Sequence, residues 1–248
     1  MNTSPLLPIL SVRPVLDRLT SLARTHERDA TLIPGLAVTE EEVAANPPAA
    51  LEQIVDEFGG IVLRDQTLLT LLVEDRTDVG PYTLLGDAAT FYPLFETPEA
   101  AVILTLDEEG APGAVFGIGE DLALHLVAPD LGTYLERFAD ALAATLAELD
   151  PALEGEERDE AAEQLMNDHL FTQVLGLADP DPALDVPLRS PSDSAVPELP
   201  AGALAVADLR EAPVGARVDL MEADVPGDPL ELHVAWRAGG RAVVLLGG

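Results

Sequence analysis

The most reactive side chains in this sequence are carboxylates gathered at two turns. Asp107, Glu108 and Glu109 precede Gly110, and Glu120 and Asp121 follow Gly119. A strand–turn–strand–turn reading of this segment sets the two groups facing one another. Paired carboxylates can pass protons or hold a divalent cation. Their spacing is not that of a calcium loop, so solvated hairpin turns are the simpler reading, and no metal is assigned. His26, His125, His169 and His233 are scattered and lack the short spacing of a zinc-binding helix. His125 shares a strand face with Ala123 and Val127, which suits a half-buried packing residue better than a base. Cysteine is absent, which removes thiolate chemistry and disulfides.

Gly113, Gly117 and Gly119 contain a Gly-x-Gly pattern. A turn and another strand follow it, whereas a phosphate cradle needs a helix N-terminus. These glycines read as turn and bulge positions. A Gly-x-Ser-x-Gly elbow does not occur. The expectation is a protein without catalytic residues, cofactor or metal.

Charge narrows the partners. The 248 residues carry 45 acids against 13 basic residues, a formal net charge of −32, and every basic residue is an arginine. Nucleic acid and anionic membranes both demand cations to neutralise phosphate, so both are excluded as partners. A basic protein would be drawn in by the complementary field. Acidity also serves solubility, and composition leaves both uses open. Hydrophobic residues make up 48% of the chain, enough for a folded core. No apolar run approaches the roughly 20 residues of a membrane span. The first ten residues hold two prolines and no basic segment, unlike a signal peptide, so a cytoplasmic location is expected.

The elements that would position these residues follow from hydrophobic period. Residues 11–28 predict a helix with Val15, Leu16, Leu19 and Leu22 on one side, ended by Ile33-Pro34-Gly35. Thr39-Glu40-Glu41-Glu42 fits a capping box. Leu51, Ile54, Val55 and Phe58 make a helical stripe that Gly59-Gly60 would stop. Residues 61–74 read as β-structure with a tight turn at Arg64-Asp65-Gln66. Seven of the ten aromatics lie between Tyr82 and Phe138, which places the main core there. Residues 101–127 alternate as a meander, with Leu122, Leu124 and Leu126 on one face. Tyr134, Leu135, Phe138, Leu142 and Leu146 continue as a helix.

Residues 154–198 hold twelve acids against two arginines. Their first half predicts a helix over 156–176, with Leu165, Met166, His169 and Leu170 inward. Residues 178–200 hold six prolines and read as linker. Strand patterns return at 204–206, 218–221, 230–236 and 242–246, with turns at Pro226-Gly227-Asp228-Pro229 and Gly239-Gly240. The expected class is α+β: an antiparallel or mixed sheet packed by helices, with a mostly β C-terminal extension. Three regions are expected: 1–150 as an α+β domain, 151–200 as acidic helix and Pro-rich linker, and 201–248 as a small β region, either a separate lobe or an extension of the sheet.

Several phrases resemble the SUKH superfamily, the group of Smi/Knr-like and bacterial immunity proteins. Glu57-Phe58-Gly59-Gly60 leads from a helix into a strand. Phe91-Tyr92-Pro93-Leu94-Phe95 precedes the strand ending in Leu106-Asp107. Leu126-Val127-Ala128-Pro129-Asp130-Leu131 announces a helix containing Tyr134-Leu135-Glu136-Arg137-Phe138, with Asp130-Leu131 where the family carries Ser-Phe. The similarity covers residues 39–149. It implies a helix-backed sheet and a non-catalytic binding function, such as neutralising a toxin or regulating a basic partner. Carboxylates beside the strands are then the candidate contacts: Glu74, Asp75, Asp78, Asp107, Glu108, Glu109, Glu120 and Asp121. The alternative is an enzyme or small-molecule sensor with a pocket between the meander and the C-terminal strands.

Overall fold

The computed structural model describes residues 9–38, 46–73, 90–97, 100–119, 121–177, 181–221 and 232–247. The capping box at Thr39–Glu42, the stretch at Tyr82–Gly86 and the turn at Pro226–Pro229 lie outside these residues.

The class is α+β, and its sheets are antiparallel. The expected meander forms β5 (Ala101–Leu106), β6 (Pro112–Ile118) and β7 (Ala123–Ala128), in which only Pro112 is less than fully buried. Edge strands β4 (Phe91–Glu96) and β9 (Arg217–Asp219) complete a five-stranded sheet in the order β4-β5-β6-β7-β9. Pro93 sits in β4, on an edge, where a strand tolerates its missing N–H.

Strand alternation divides this sheet's side chains between two cores. Val102, Leu104, Val115 and Val127 point toward the helices. Ile103, Phe116, Leu124 and Leu126 point the other way. The helical cover comprises α1 (Ile9–Thr25), α3 (Leu131–Glu148) and α4 (Gly155–Met166), which continues as a π-helical segment over Asn167–Val174. The Asp130 side chain caps α3 by accepting from the Thr133 N–H at 2.8 Å. Tyr134, Leu135, Phe138 and Leu142 of the α3 stripe are all fully buried.

The opposite face is covered by β8 (Ala203–Asp208), β10 (Leu232–Arg237) and β11 (Ala242–Gly247), in the order β10-β11-β8. As expected, Leu232, Val234 and Trp236 face inward. Trp236 stacks on Phe116 with ring centroids 5.1 Å apart. Residues 201–248 thus divide their strands: β9 pairs with β7, while the other three make their own sheet. Residues 181–200 are extended, with short 3₁₀ turns and bridges from Asp185 to Arg217 and from Arg189 to Val206. They run along the C-terminal strands and bury Val196 there.

The two sheets interlock at the β10–β11 turn. A β-bulge places Gly113 and Ala114 opposite Thr105, which agrees with reading Gly113 as a bulge glycine. The Ala114 N–H donates to the Gly239 carbonyl at 2.9 Å, so the β10–β11 turn satisfies the group the bulge frees. A Cβ on Gly240, where φ is +80°, would lie 2.2 Å from the Thr105 hydroxyl. Only glycine lets the turn approach so closely.

The N-terminal region departs from the sequence reading. The segment expected to end the first helix is instead strand β1 (Ala30–Pro34). It pairs with β2 (Phe58–Leu63), which pairs with β3 (Gln66–Thr70). α2 spans only Glu52–Glu57, and its C-cap Phe58 is already extended. Gly59 and Gly60 therefore lie inside β2 and do not act as a helix stop. A Cβ on Gly59 would sit 2.5 Å from the Pro34 carbonyl oxygen, and one on Gly60 2.1 Å from that of Leu69.

One buried ion pair ties this region to α4. Arg158 donates from Nε and Nη2 to the two oxygens of Asp29 at 2.6 and 2.7 Å, and both residues are 5% exposed. Arg158 also donates to the Asp150 carbonyl at 2.6 Å. The Arg158 hydrogen bonds hold the Asp29 carboxyl below the usual range, against the opposing effect of burial. A depressed folded-state pKa contributes stability above the unfolded value, and that stability fades as pH falls through the folded value.

Asp29→Ala is expected to cost about 3–5 kcal/mol in a urea melt, because it strands a buried guanidinium. In the intact protein, stability should fall on acidification below about pH 4. Phe138→Ala should cost about 3–5 kcal/mol. Tyr134 is different: its hydroxyl is buried without a partner among the described residues. Tyr134→Phe should hold or raise the melting temperature, since it removes an unsatisfied polar group.

Candidate functional site

Successive turns of an antiparallel meander fall at opposite ends of its strands. Leu106 pairs with Pro112 beside the β5–β6 turn, and Ile118 pairs with Leu124 beside the β6–β7 turn. The seven residues of β6 separate these turns by roughly 20 Å. Asp107, Glu108 and Glu109 therefore do not face Asp121, which corrects the arrangement expected from sequence. Asp107 shapes its own turn by accepting from the N–H groups of Glu109 and Ala111 at 2.9 and 2.8 Å. Glu108 pairs with Arg237 of β10. Glu109 is exposed in the same turn. Glu74, Asp75, Asp78 and Glu120 lie outside the described residues.

Asp121 belongs to a charged node at the other end. Its Oδ2 lies 3.1 Å from both His125 Nε2 and Arg217 Nε. Arg217 also reaches Asp185 at 3.3 Å and Asp219 at 3.0 Å. One guanidinium is thus shared by three carboxylates. Burial pushes the Asp121 carboxyl up, but the Ala123 N–H, His125 and Arg217 outweigh it and hold the group below its ordinary value. His125 is 2% exposed on the helix-facing side of β7, more deeply placed than the half-buried position expected.

This end of the central sheet opens into a cleft of about 780 Å³. β3 supplies Leu68, the end of β4 supplies Phe95 and Glu96, and the β6–β7 turn supplies Asp121. Glu163 of α4, Asn167 and Phe171 of the π-helical segment, and Leu177 beyond it close the other side. An α-helical step of four turns a side chain by roughly 40°. The wider π turn takes that rotation back over the next four residues, so Glu163, Asn167 and Phe171 all line the cleft. Phe171 meets Phe95 edge-on, with centroids 5.3 Å apart and planes at 63°. Gly117 lies within β6 and does not form a turn; a Cβ there would meet Leu177 at 3.4 Å, an ordinary contact, so the position does not demand glycine.

Among the described residues, the space between the meander and the C-terminal strands is filled by side chains. That layer is packed by Phe116, Leu126, Val234, Trp236 and their neighbours. The cleft is on the helical side, and its residues come from four separated segments. Sequence reasoning offered only Asp121 among them as a site residue; the four-residue steps of Glu163, Asn167 and Phe171 were the available signal. Among the described residues, no group of three or more His, Asp and Glu could hold a metal ion. No described helix is long and apolar enough to cross a membrane.

Arginine placement shapes the remaining surface. Among the described residues, every arginine except Arg24 and Arg189 reaches a carboxylate or a backbone carbonyl. Most of these pairs are exposed and contribute little stability. Their effect is on charge: the few cations are spent on the protein's own groups, and the acid excess is left to the solvent. Comparisons of the chain with protein-family models, with curated proteins and with solved structures find no match.

Arg217→Gln is expected to lower the melting temperature by releasing three neighbouring carboxylates to repel one another. Raising the salt concentration should restore part of the loss by screening; a variant whose deficit ignores salt would contradict this account.

Proposed function

We propose that this protein is a non-catalytic, cytoplasmic binding protein whose partner is a basic protein, such as a toxin domain that it neutralises or a factor that it regulates. The observation that carries the reading is the disposition of charge. Against 45 acids the chain has 13 basic residues, and nearly all the described ones are engaged within the molecule. A partner therefore meets a field of one sign, which speeds the approach of a cation-rich surface and repels nucleic acid. The resemblance of residues 39–149 to the SUKH superfamily supports the same function, since such proteins act by occupying a partner's surface. A sheet buried on both faces supplies the rigid platform from which loop carboxylates can be presented.

Purified basic nuclease toxin domains, titrated one at a time, test the reading. At least one is expected to form a saturable one-to-one complex whose association rate falls as salt rises while dissociation changes little. Binding that is alike for every basic protein, unsaturable, and gone at about 0.3 M salt would reduce the acidity to a solubility device.

A further inference from the structure

The cleft beside the π-helical segment combines two properties that seldom occur together by accident. Its walls are apolar, built from Leu68, Leu177 and the edge-to-face pair Phe95–Phe171. Its described polar lining includes the carboxylates of Asp121 and Glu163 and contains no arginine or histidine. Neither Glu163 nor Asn167 has a side-chain partner among the described residues, so both present unused hydrogen-bonding groups. Asp121 shares the Arg217 guanidinium with Asp185 and Asp219, so that node retains a negative excess at the rim.

These features select among ligands. A phosphate or carboxylate would meet like charge. A wholly apolar ligand would strip water from the carboxylates with nothing in return. A cation on an apolar stem meets both demands, with methylenes along leucine and aromatic walls and charge against the acids. Arginine suits the site better than lysine, because its planar guanidinium can lie on an aromatic ring and still donate to a carboxylate. About 780 Å³ is several times the volume of one side chain, so the residues flanking such an arginine would enter as well.

We propose that this cleft receives a short arginine-containing segment of the partner protein, with the guanidinium held between the Phe95–Phe171 pair and the Glu163 carboxylate. The assignment rests on reading the protein as a binder of a basic partner, and it names the place where the lifetime of that complex is set. General attraction comes from the whole acidic surface; retention comes from the aromatic wall.

The probe is the peptide acetyl-Leu-Arg-Phe-Arg-Leu-amide, titrated by calorimetry into the full chain, beside an analogue with citrulline at both arginine positions. Citrulline keeps the shape and removes the charge. The arginine peptide should bind at one site, and the citrulline peptide at least about tenfold more weakly. Phe171→Leu should weaken the arginine peptide about 2- to 30-fold. Glu163→Gln, an exposed change that leaves packing intact, should weaken it as well. Glu27→Gln, at an exposed position outside the cleft, should leave it unchanged.

Equal binding of the two peptides, no binding of either, or indifference to both cleft variants overturns the proposal. The toxin-domain titrations keep the two failures apart. A toxin domain that binds in a salt-dependent way, yet ignores Glu163→Gln and Phe171→Leu, removes the cleft and leaves the binding function standing. A peptide held in the cleft while every basic protein fails to bind removes the function and leaves the cleft a site for a small cation.

Discussion

A β-sheet whose strands are apolar on both faces must be covered twice, and the rest of this protein follows from that requirement. In β5 and β7 each residue is buried, the odd and even positions serving different cores. Water would reach the meander on one side or the other if either cover were missing. Helices α1, α3 and α4 answer the demand on one face. Strands β8, β10 and β11 answer it on the other, with Trp236 stacked on Phe116 between the layers. Apolar burial supplies the drive, and two polar devices fix the alignment: the Asp29–Arg158 pair on the helical side, and the Ala114–Gly239 hydrogen bond on the sheet side.

Function in this arrangement is a matter of edges. With both faces consumed, the sheet offers only its ends and loops to a partner. One end carries the Asp107–Glu109 turn, where the Asp107 carboxylate is tied into local hydrogen bonds and that of Glu108 to Arg237. The other carries the Arg217 node and the cleft. The π-helical segment matters here because it turns what would be a drifting helical stripe into a straight wall. Asp29 and Arg158 stabilise the start of α4, so the wall is anchored at its base by a pair far from the cleft in sequence.

Much of this was legible in the residues. The stripes of α1 and α3 and the alternation of β7 and β10 follow periods that only burial selects. Other features depended on a partner strand. Gly59-Gly60 has the same appearance whether it ends a helix or admits two neighbouring backbones, and only the positions of Pro34 and Leu69 decide. β1 was hidden because just one of its five residues is fully buried, leaving a weak pattern. The described turn acids do lie in turns, but at opposite ends of the sheet, since residue types do not reveal which end a turn occupies unless strands are counted. The cleft was the least visible, because Leu68, Phe95, Asp121 and Glu163 meet only after three layers have assembled.

The order of the two covers along the chain also orders the protein's exposure during synthesis. The meander and α3 are complete by residue 148, but the strands that shield Ile103, Phe116 and Leu126 begin at residue 203. At about 5–20 residues per second, a ribosome leaves that bare face waiting for roughly 3–11 s. During this interval the nascent chain displays a flat aromatic and aliphatic surface, together with a bulge whose N–H has no acceptor. Chaperones recognise such a surface, and a stalled or nicked chain would keep it permanently. The dense acidity of residues 154–198 is translated within this same window and would keep neighbouring nascent chains apart until the second cover arrives.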